Sequence, residues 1–357
     1  MQSPPVQSLP APSPLLSTPG AVPADGPDTG VAAHYGDPFA EQRTLGGAAG
    51  LVDRSDRDVL KITGVDRLSW LNSISTQKLD ELAVGDARQS LILSPQGHIQ
   101  HHLSLVDDGA STWIHTEPGE AASLLEFLES MRFMLRVIAE IVTEDCAVLT
   151  VMGPQVTPDA VTADAGEAGA RPFATADFAF GRDLVVEREH LDRAVTGLRD
   201  RGYRLAGMMA HEALRIAGHR PRFGTDTDHR TIPHEVGWIE SAVHLNKGCY
   251  RGQETVARVQ NLGHPPRRLV LLHLDGSENK LPAHGEPVCL GEATVGFVGS
   301  SARHYELGPI ALALVKRTVP VGETLVAAGI SAAQEVIVPP DVGANAKITI
   351  GRRRGLL

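Results

Sequence analysis

The run Asn246-Lys247-Gly248-Cys249-Tyr250-Arg251-Gly252-Gln253-Glu254 gathers a thiol, a phenol, two cations, an amide and a carboxylate into one short stretch. Gly248 and Gly252 let the backbone come close to a ligand. A cysteine attacks only as its thiolate, and Lys247 and Arg251 beside Cys249 favour that form at neutral pH where the side chains converge. Cys249 is therefore the candidate reactive group, with Lys247, Tyr250, Arg251, Gln253 and Glu254 as its candidate surroundings. The alternative is a small buried cysteine that only fills space.

Other constellations carry less. His98, His101 and His102 form an H-x-x-H-H pattern. An extended strand turns His98 and His102 to one side and His101 to the other, so no metal site is expected there. His244 and His264 lie near Cys249 in sequence, but neither sits in a nucleophile context. Cys146, Cys249 and Cys289 are far apart, without a C-x-x-C pair. Reduced thiols are expected, with neither a disulfide framework nor a self-contained metal centre.

Alternating short strands and helices must position these groups. Val59 to Ile62 reads as a strand, and Leu68, Leu71 and Ile74 as the apolar stripe of a helix. Two strands, Gln89 to Leu93 and His98 to Val106, are joined by Ser94-Pro95-Gln96-Gly97, a turn sequence that predicts a hairpin. A strand at Trp113 to Thr116, a helix carrying Leu124, Leu125, Leu128 and Met131, and a strand at Val137 to Val142 complete a unit like an elaborated split β-α-β. A second unit runs through strands Ala147 to Met152 and Asp183 to Glu187, a helix with Leu191, Val195 and Leu198 closed by Gly202, and a helix from Met208 to Ala217. After Pro265-Pro266, β-type runs at Leu269 to Leu274, Thr294 to Val298 and Ile310 to Val315 predict a small barrel or sandwich.

The chain of 357 residues carries 33 Lys+Arg against 43 Asp+Glu, a net charge of −10. That balance argues against strong nucleic-acid binding, and the length against a single small domain. No apolar run approaches the roughly 18 residues of a membrane span, and the first cation is Arg43, so neither a membrane helix nor a signal peptide is expected. A soluble cytoplasmic protein is the reading. Eight of the 24 prolines fall in residues 1–30, which predicts a disordered Pro-rich tail over 1–44. The expected division continues with α/β modules at 45–145 and 146–266, a β-barrel at 267–340 and a basic tail at 341–357 that ends with Arg352-Arg353-Arg354.

Lys247 to Glu254 reads K-G-C-Y-x-G-Q-E, and this run resembles the signature of the YgfZ family, folate-binding relatives of the glycine cleavage T-protein that support iron–sulfur proteins. Lys61 to Leu71 is similar to the first block of the T-protein superfamily, and Leu93 to Gly97 to its hairpin. Leu214-Arg215-Ile216, Pro221-Arg222-Phe223-Gly224 and Ile232-Pro233-His234-Glu235 resemble its central block, and Val295 to Ser300 its barrel. The resemblance implies an α+β fold of two mixed α/β modules plus a C-terminal β-barrel around a central folate cavity. It also implies tetrahydrofolate as cofactor, reduced folate or its polyglutamates as ligand, and Fe–S client or assembly proteins as partners. An anionic tail would need cations, and Lys247, Arg251, Arg258, Arg267 and Arg268 are the candidates, with Arg215 in the central block.

Two departures bear on activity. Where the T-protein has an aspartate just after the hairpin, this chain has Gln100 and His101. A neutral amide does not supply that carboxylate, so aminomethyl transfer of the glycine cleavage type is not expected. Where relatives read R-I-E, Ala217 follows Arg215-Ile216, which leaves Glu235 or Glu254 to meet a pterin ring. The favoured reading is a folate-binding accessory protein for iron–sulfur cluster assembly or repair with Cys249 as its thiol. A folate-dependent aminomethyltransferase or demethylase stands second, and a noncatalytic folate sensor third.

Overall fold

The computed structural model describes residues 11–156, 171–174 and 181–344. A short hairpin, β1 (Val22–Pro23) and β2 (Ala32–His34), leads into helix α1 (Pro38–Gly47) and strand β3 (Gly50–Asp53). Next come β4 (Asp58–Thr63), α2 (Arg67–Ile74), β5 (Ala87–Leu93), β6 (Ile99–Asp107), β7 (Ser111–Thr116), α3 (Ala121–Ser130) and β8 (Ile138–Ile141). The middle of the chain forms β9 (Cys146–Met152), β10 (Arg171–Ala174), β11 (Gly181–Glu187), α4 (Leu191–Asp200), β12 (Arg204–Ala206) and α5 (Met208–Ala217). Two further helices, α6 (Trp238–Ser241) and α7 (Gln253–Leu262), precede β13 (Arg267–Leu274), β14 (Pro287–Leu290), β15 (Ala293–His304), β16 (Gly308–Lys316), β17 (Leu325–Ala327) and β18 (Ile330–Val336).

These strands make two five-stranded sheets, ordered β5-β6-β7-β4-β8 and β10-β11-β9-β3-β12, and a closed six-stranded barrel, β13-β16-β15-β14-β17-β18. The architecture is α+β, as the resemblance implies. Leu124 and Leu128 of α3 lie on one helical face and are fully buried against the first sheet. Leu191, Val195 and Leu198 do the same for α4 on the second sheet. A third core joins the units: Leu269, Leu271, Leu312 and Leu314 on the barrel's outer wall pack with Leu91, Leu93 and Ile99 of the hairpin, Ala213 and Ile216 of α5, and Tyr250 and Val256. The reactive-loop sequence is thereby tied to the centre of the molecule.

Two expectations are corrected here. Residues 11–44 are ordered: Leu15 and Val31 insert into two separate cores, and the Glu41 carboxylate accepts from the N–H groups of Tyr35 at 2.7 Å and Gly207 at 2.8 Å. Composition counts the few apolar residues of the segment but not the prebuilt cores that receive them. Strand β3 leaves the first module to pair with β9 and β12 in the second sheet, a choice of partner that local pattern does not encode. Residues 1–10 and 345–357, including Arg352 to Arg354, lie outside the described residues. Among those described, no helix is long and apolar enough to cross a membrane.

The hairpin contains one irregularity that matters for the site. Ile92 pairs with His101 but Leu93 pairs with Ile99, so Gln100 is an extra residue in β6. Such a bulge breaks the alternation of faces and re-aims neighbouring side chains. His101 and His102, on opposite faces of the strand, are both buried, in different surroundings.

Candidate functional site

The segment from Lys247 to Glu254 is a clamped loop with an exposed thiol. The Lys247 ammonium donates to the carbonyls of Ser75 at 2.8 Å, Gln77 at 2.7 Å and Asn72, so it closes the C-terminal end of α2. It also lies 5.4 Å from the Tyr250 ring centre. Burial pulls Lys247 down to about 8 and pushes the Tyr250 hydroxyl up to about 12. Gly252 has φ +81°, in the region glycine favours, and a β-carbon there would stand 2.6 Å from the Ser94 carbonyl oxygen. The loop is thus seated on the β5–β6 turn. Gln253 donates to the Lys247 carbonyl at 3.4 Å, while Cys249, Arg251, Glu254 and Arg258 are exposed.

Where the sheets and α5 meet, charged side chains fill the space. Arg222 is within 2.7 Å of both Glu117 and Asp28, and Arg57 is 2.7 Å from Glu117. Arg57 Nε donates to His115 Nδ1 at 2.7 Å, and His115 Nε2 lies 2.9 Å from Asp183. On the other side Arg215 pairs with Glu212 at 2.6 Å and Asp226 at 2.9 Å and donates to Ser300 of the barrel at 2.6 Å. Burial alone would raise the Glu117 carboxyl, but Arg222, Arg57 and Arg54 hold it well below the usual range. Burial, reinforced by Arg57, pushes His115 down to about 4, so it is neutral at physiological pH. The space left among Arg54, Arg57, His102, Glu117, His211, Arg215 and Phe223 is about 20 Å³, room for little more than a water. Ion pairs fill this part of the junction between the sheets and α5.

A groove of about 540 Å³ opens on the far side of Phe223. Its walls include Gln100 and His101 of β6, Glu120 and Ser123 at the start of α3, and Phe223 and Asp228 beyond α5. The short connection between β7 and α3 serves both places, since Glu117 turns into the arginine cluster and Glu120 into the groove, where its Oε2 lies 3.2 Å from His101 Nδ1. Ile99 N–H donates to the Thr231 carbonyl at 2.8 Å, which ties the two walls together. His102 instead stacks on Trp238, with ring centres 4.4 Å apart.

Residues 36–175 match the GCVT N-terminal domain, and residues 267–343 match the glycine cleavage T-protein C-terminal barrel domain. The chain belongs to the glycine cleavage T-protein superfamily. An aminomethyltransferase of Symbiobacterium thermophilum is 26% identical over 295 residues, 74% of this chain and 77% of its own length. One from a Nostoc species is 26% identical over 315 residues, 80% of this chain and 82% of its own. A putative chloroplastic transferase of Arabidopsis thaliana is 25% identical over 310 residues, 77% of this chain and 68% of its own. In fold, the crystal structure of glycine cleavage system aminomethyltransferase T from Bartonella henselae is similar with a TM-score of 0.75 at 19% identity, over 91% of this chain and 96% of that one.

Within this T-protein superfamily chain the sequence-predicted cations do not form one patch. Lys247 caps α2, Arg267 is held by Asp228 at 2.6 Å and Glu235 at 2.9 Å, and Arg268 is buried with Gln334 and the Val319 carbonyl as partners. Arg251 lies 5.8 Å from the Phe127 ring centre, and that ring is 6.3 Å from His101, while Arg267 reaches the groove wall through Asp228. Arg215 belongs to the central cluster, and Arg258 is on the exposed side of α7. Glu235 binds Arg267 and the Ile232 N–H and is not among the groove-wall residues. Sequence reasoning missed Glu117, Glu120, Arg54 and Arg57, although Arg215 and Arg222 of the same cluster stood in the central block. One signal was available: Asp53 to Asp58 is an uninterrupted polar run between two strands, and every member is buried.

Proposed function

We propose that the protein binds a reduced folate in the groove between β6, α3 and the segment after α5, and acts as a folate-dependent transferase of an aminomethyl-type one-carbon unit. The observation that carries this reading is the convergence of His101 and Glu120 with the Phe223 ring, at the chain position where the resemblance puts the T-protein's aspartate. The names of the similar aminomethyltransferases support it over the iron–sulfur reading that the loop sequence favours. The volume is within the range of small-molecule sites, with Ile99 and Phe223 as apolar walls for a ring system and Gln100, Ser123 and Asp228 as hydrogen-bonding groups. A bound tetrahydrofolate would supply the nitrogen that accepts the one-carbon unit. Phe223 and Ile99 orient it, and the ion pairs behind Phe223 keep that wall rigid. Purified protein given an aminomethyl-lipoyl carrier and tetrahydrofolate is expected to form methylenetetrahydrofolate. Folate binding with no product under any carrier concentration would remove the transferase reading.

A second reading, support of iron–sulfur enzymes through Cys249, is favoured by the exposure of that thiol on a loop held at both ends. It predicts that Cys249→Ala lowers Fe–S enzyme activities in cells and leaves folate binding intact. Unchanged activities would take the thiol out of the function.

A further inference from the structure

We propose that His101, oriented by Glu120, is the proton acceptor of this site and does the work for which other superfamily members use a carboxylate; the inference rests on the transferase reading above. His101 lies opposite Ile92 of β5 on the bulged strand, and among the described residues its side chain bonds through Nδ1 to Glu120 Oε2 at 3.2 Å. That contact leaves Nε2 as the ring nitrogen open to a ligand. The carboxylate is itself fixed, because Glu120 is the first residue before α3. Gly119 reaches it with φ +83°, and the Asp58 carboxylate accepts from Ala121 N–H at 2.7 Å. The ring of Phe127 backs the imidazole. The arrangement is the nucleophile-free half of a His–carboxylate pair: a base whose tautomer and orientation are set by an acceptor on its far nitrogen.

His101 Nε2 takes the proton of the attacking folate N–H while that nitrogen's lone pair forms the bond to the transferred carbon. The bond from that carbon to its carrier breaks, and its electron pair leaves on the carrier atom. Glu120 stabilises the imidazolium, which then gives its proton to that leaving atom. The second folate amine nitrogen next attacks the same carbon while the C–NH2 bond breaks, its proton passing through His101 to the departing ammonia. Methylenetetrahydrofolate closes and the site ends as it began. Glu120 is a positioning residue in this step. Among the described residues, charged or titratable groups near the imidazole include Asp228 and His229 in the groove and Arg251 across Phe127.

The test uses full-length protein with an aminomethyl-lipoyl carrier and tetrahydrofolate, with kcat, KM and folate affinity measured separately. His101→Gln should lower kcat by about 100-fold or more with folate affinity within about threefold. His101→Asp, which restores a carboxylate, should recover most of the loss. Glu120→Gln should lower kcat about tenfold and move the acidic limb of the pH profile, and Glu120→Asp should restore that limb. Because Glu120 is at the groove edge, its variants stay informative even if His101→Gln melts early. Wild-type rates in His101→Gln would overturn the proton role while leaving the transferase reading intact. A wild-type protein that binds folate and turns over none would overturn that reading and, with it, this role.

Discussion

Gly252 and Ser94 are in such close apposition that a β-carbon on the glycine would stand 2.6 Å from the serine carbonyl oxygen, and one on Gly97 in the same turn would reach within 2.8 Å of Thr255 Cβ. The loop of Cys249 and the hairpin that carries His101 are keyed into each other through two glycines, each at φ +81°. Gly252→Ala combines a left-handed backbone with a steric clash and should lower stability by at least about 2 kcal/mol. Chemical denaturation would show it. A loss below about 0.5 kcal/mol would mean the loop is not anchored on the turn.

Arg222 joins Glu117 and Asp28 while 5% exposed. Its removal leaves Asp28 without its ion-pair partner and Glu117 with Arg57 alone, so Arg222→Met should cost about 3–5 kcal/mol. Arg222→Lys should recover little, because one ammonium does not reproduce the forked contacts. A near-neutral Arg222→Met in denaturant melts would count against the cluster as the structural centre.

Asp56 gives a signed pH dependence. Burial, with the nearby Asp28 charge, raises its carboxyl from 3.8 to about 7, and neither oxygen has a hydrogen-bond partner among the described residues. Between those values the folded state holds a proton that the unfolded state has lost, so this contribution to stability is complete below 3.8 and is lost as pH rises through about 7. His115 acts oppositely: its contribution is complete above 6.5 and lost as pH falls through about 4. Asp56→Asn should therefore gain melting temperature over the wild type at pH 8 relative to pH 5. Parallel curves for the two proteins would show that Asp56 does not titrate in this range.

Of the three cysteines, Cys249 is exposed, Cys289 half-buried and Cys146 buried. Iodoacetamide on the native protein should label Cys249 first and Cys146 only on unfolding. Cys249→Ala should change stability by less than about 0.5 kcal/mol. Mass spectrometry of a labelling time course decides the order, and early modification of Cys146 would contradict it.

Much of the fold is legible because local pattern carries it. The helix at Met208–Ala217, the Ser94 to Gly97 turn and the barrel strands follow from periodicity and turn chemistry. The site is less so. Lys247 and Arg267 look like ligand-binding cations, yet one closes a helix and the other is held by two carboxylates, because sequence shows a charge but not its partner. Glu120 and His101 are 19 positions apart and meet only through the β6–β7 pairing. Arg222 finds Asp28 across 194 positions, a contact that no local window contains.

Calorimetric titration of the full-length protein with tetrahydrofolate tests the central claim most directly. Saturable binding to one site at roughly micromolar affinity is expected, weakened at least about tenfold by Phe223→Ala and unchanged by Cys249→Ala. Absence of binding heat together with no protection against thermal unfolding, or binding indifferent to Phe223, would contradict the account.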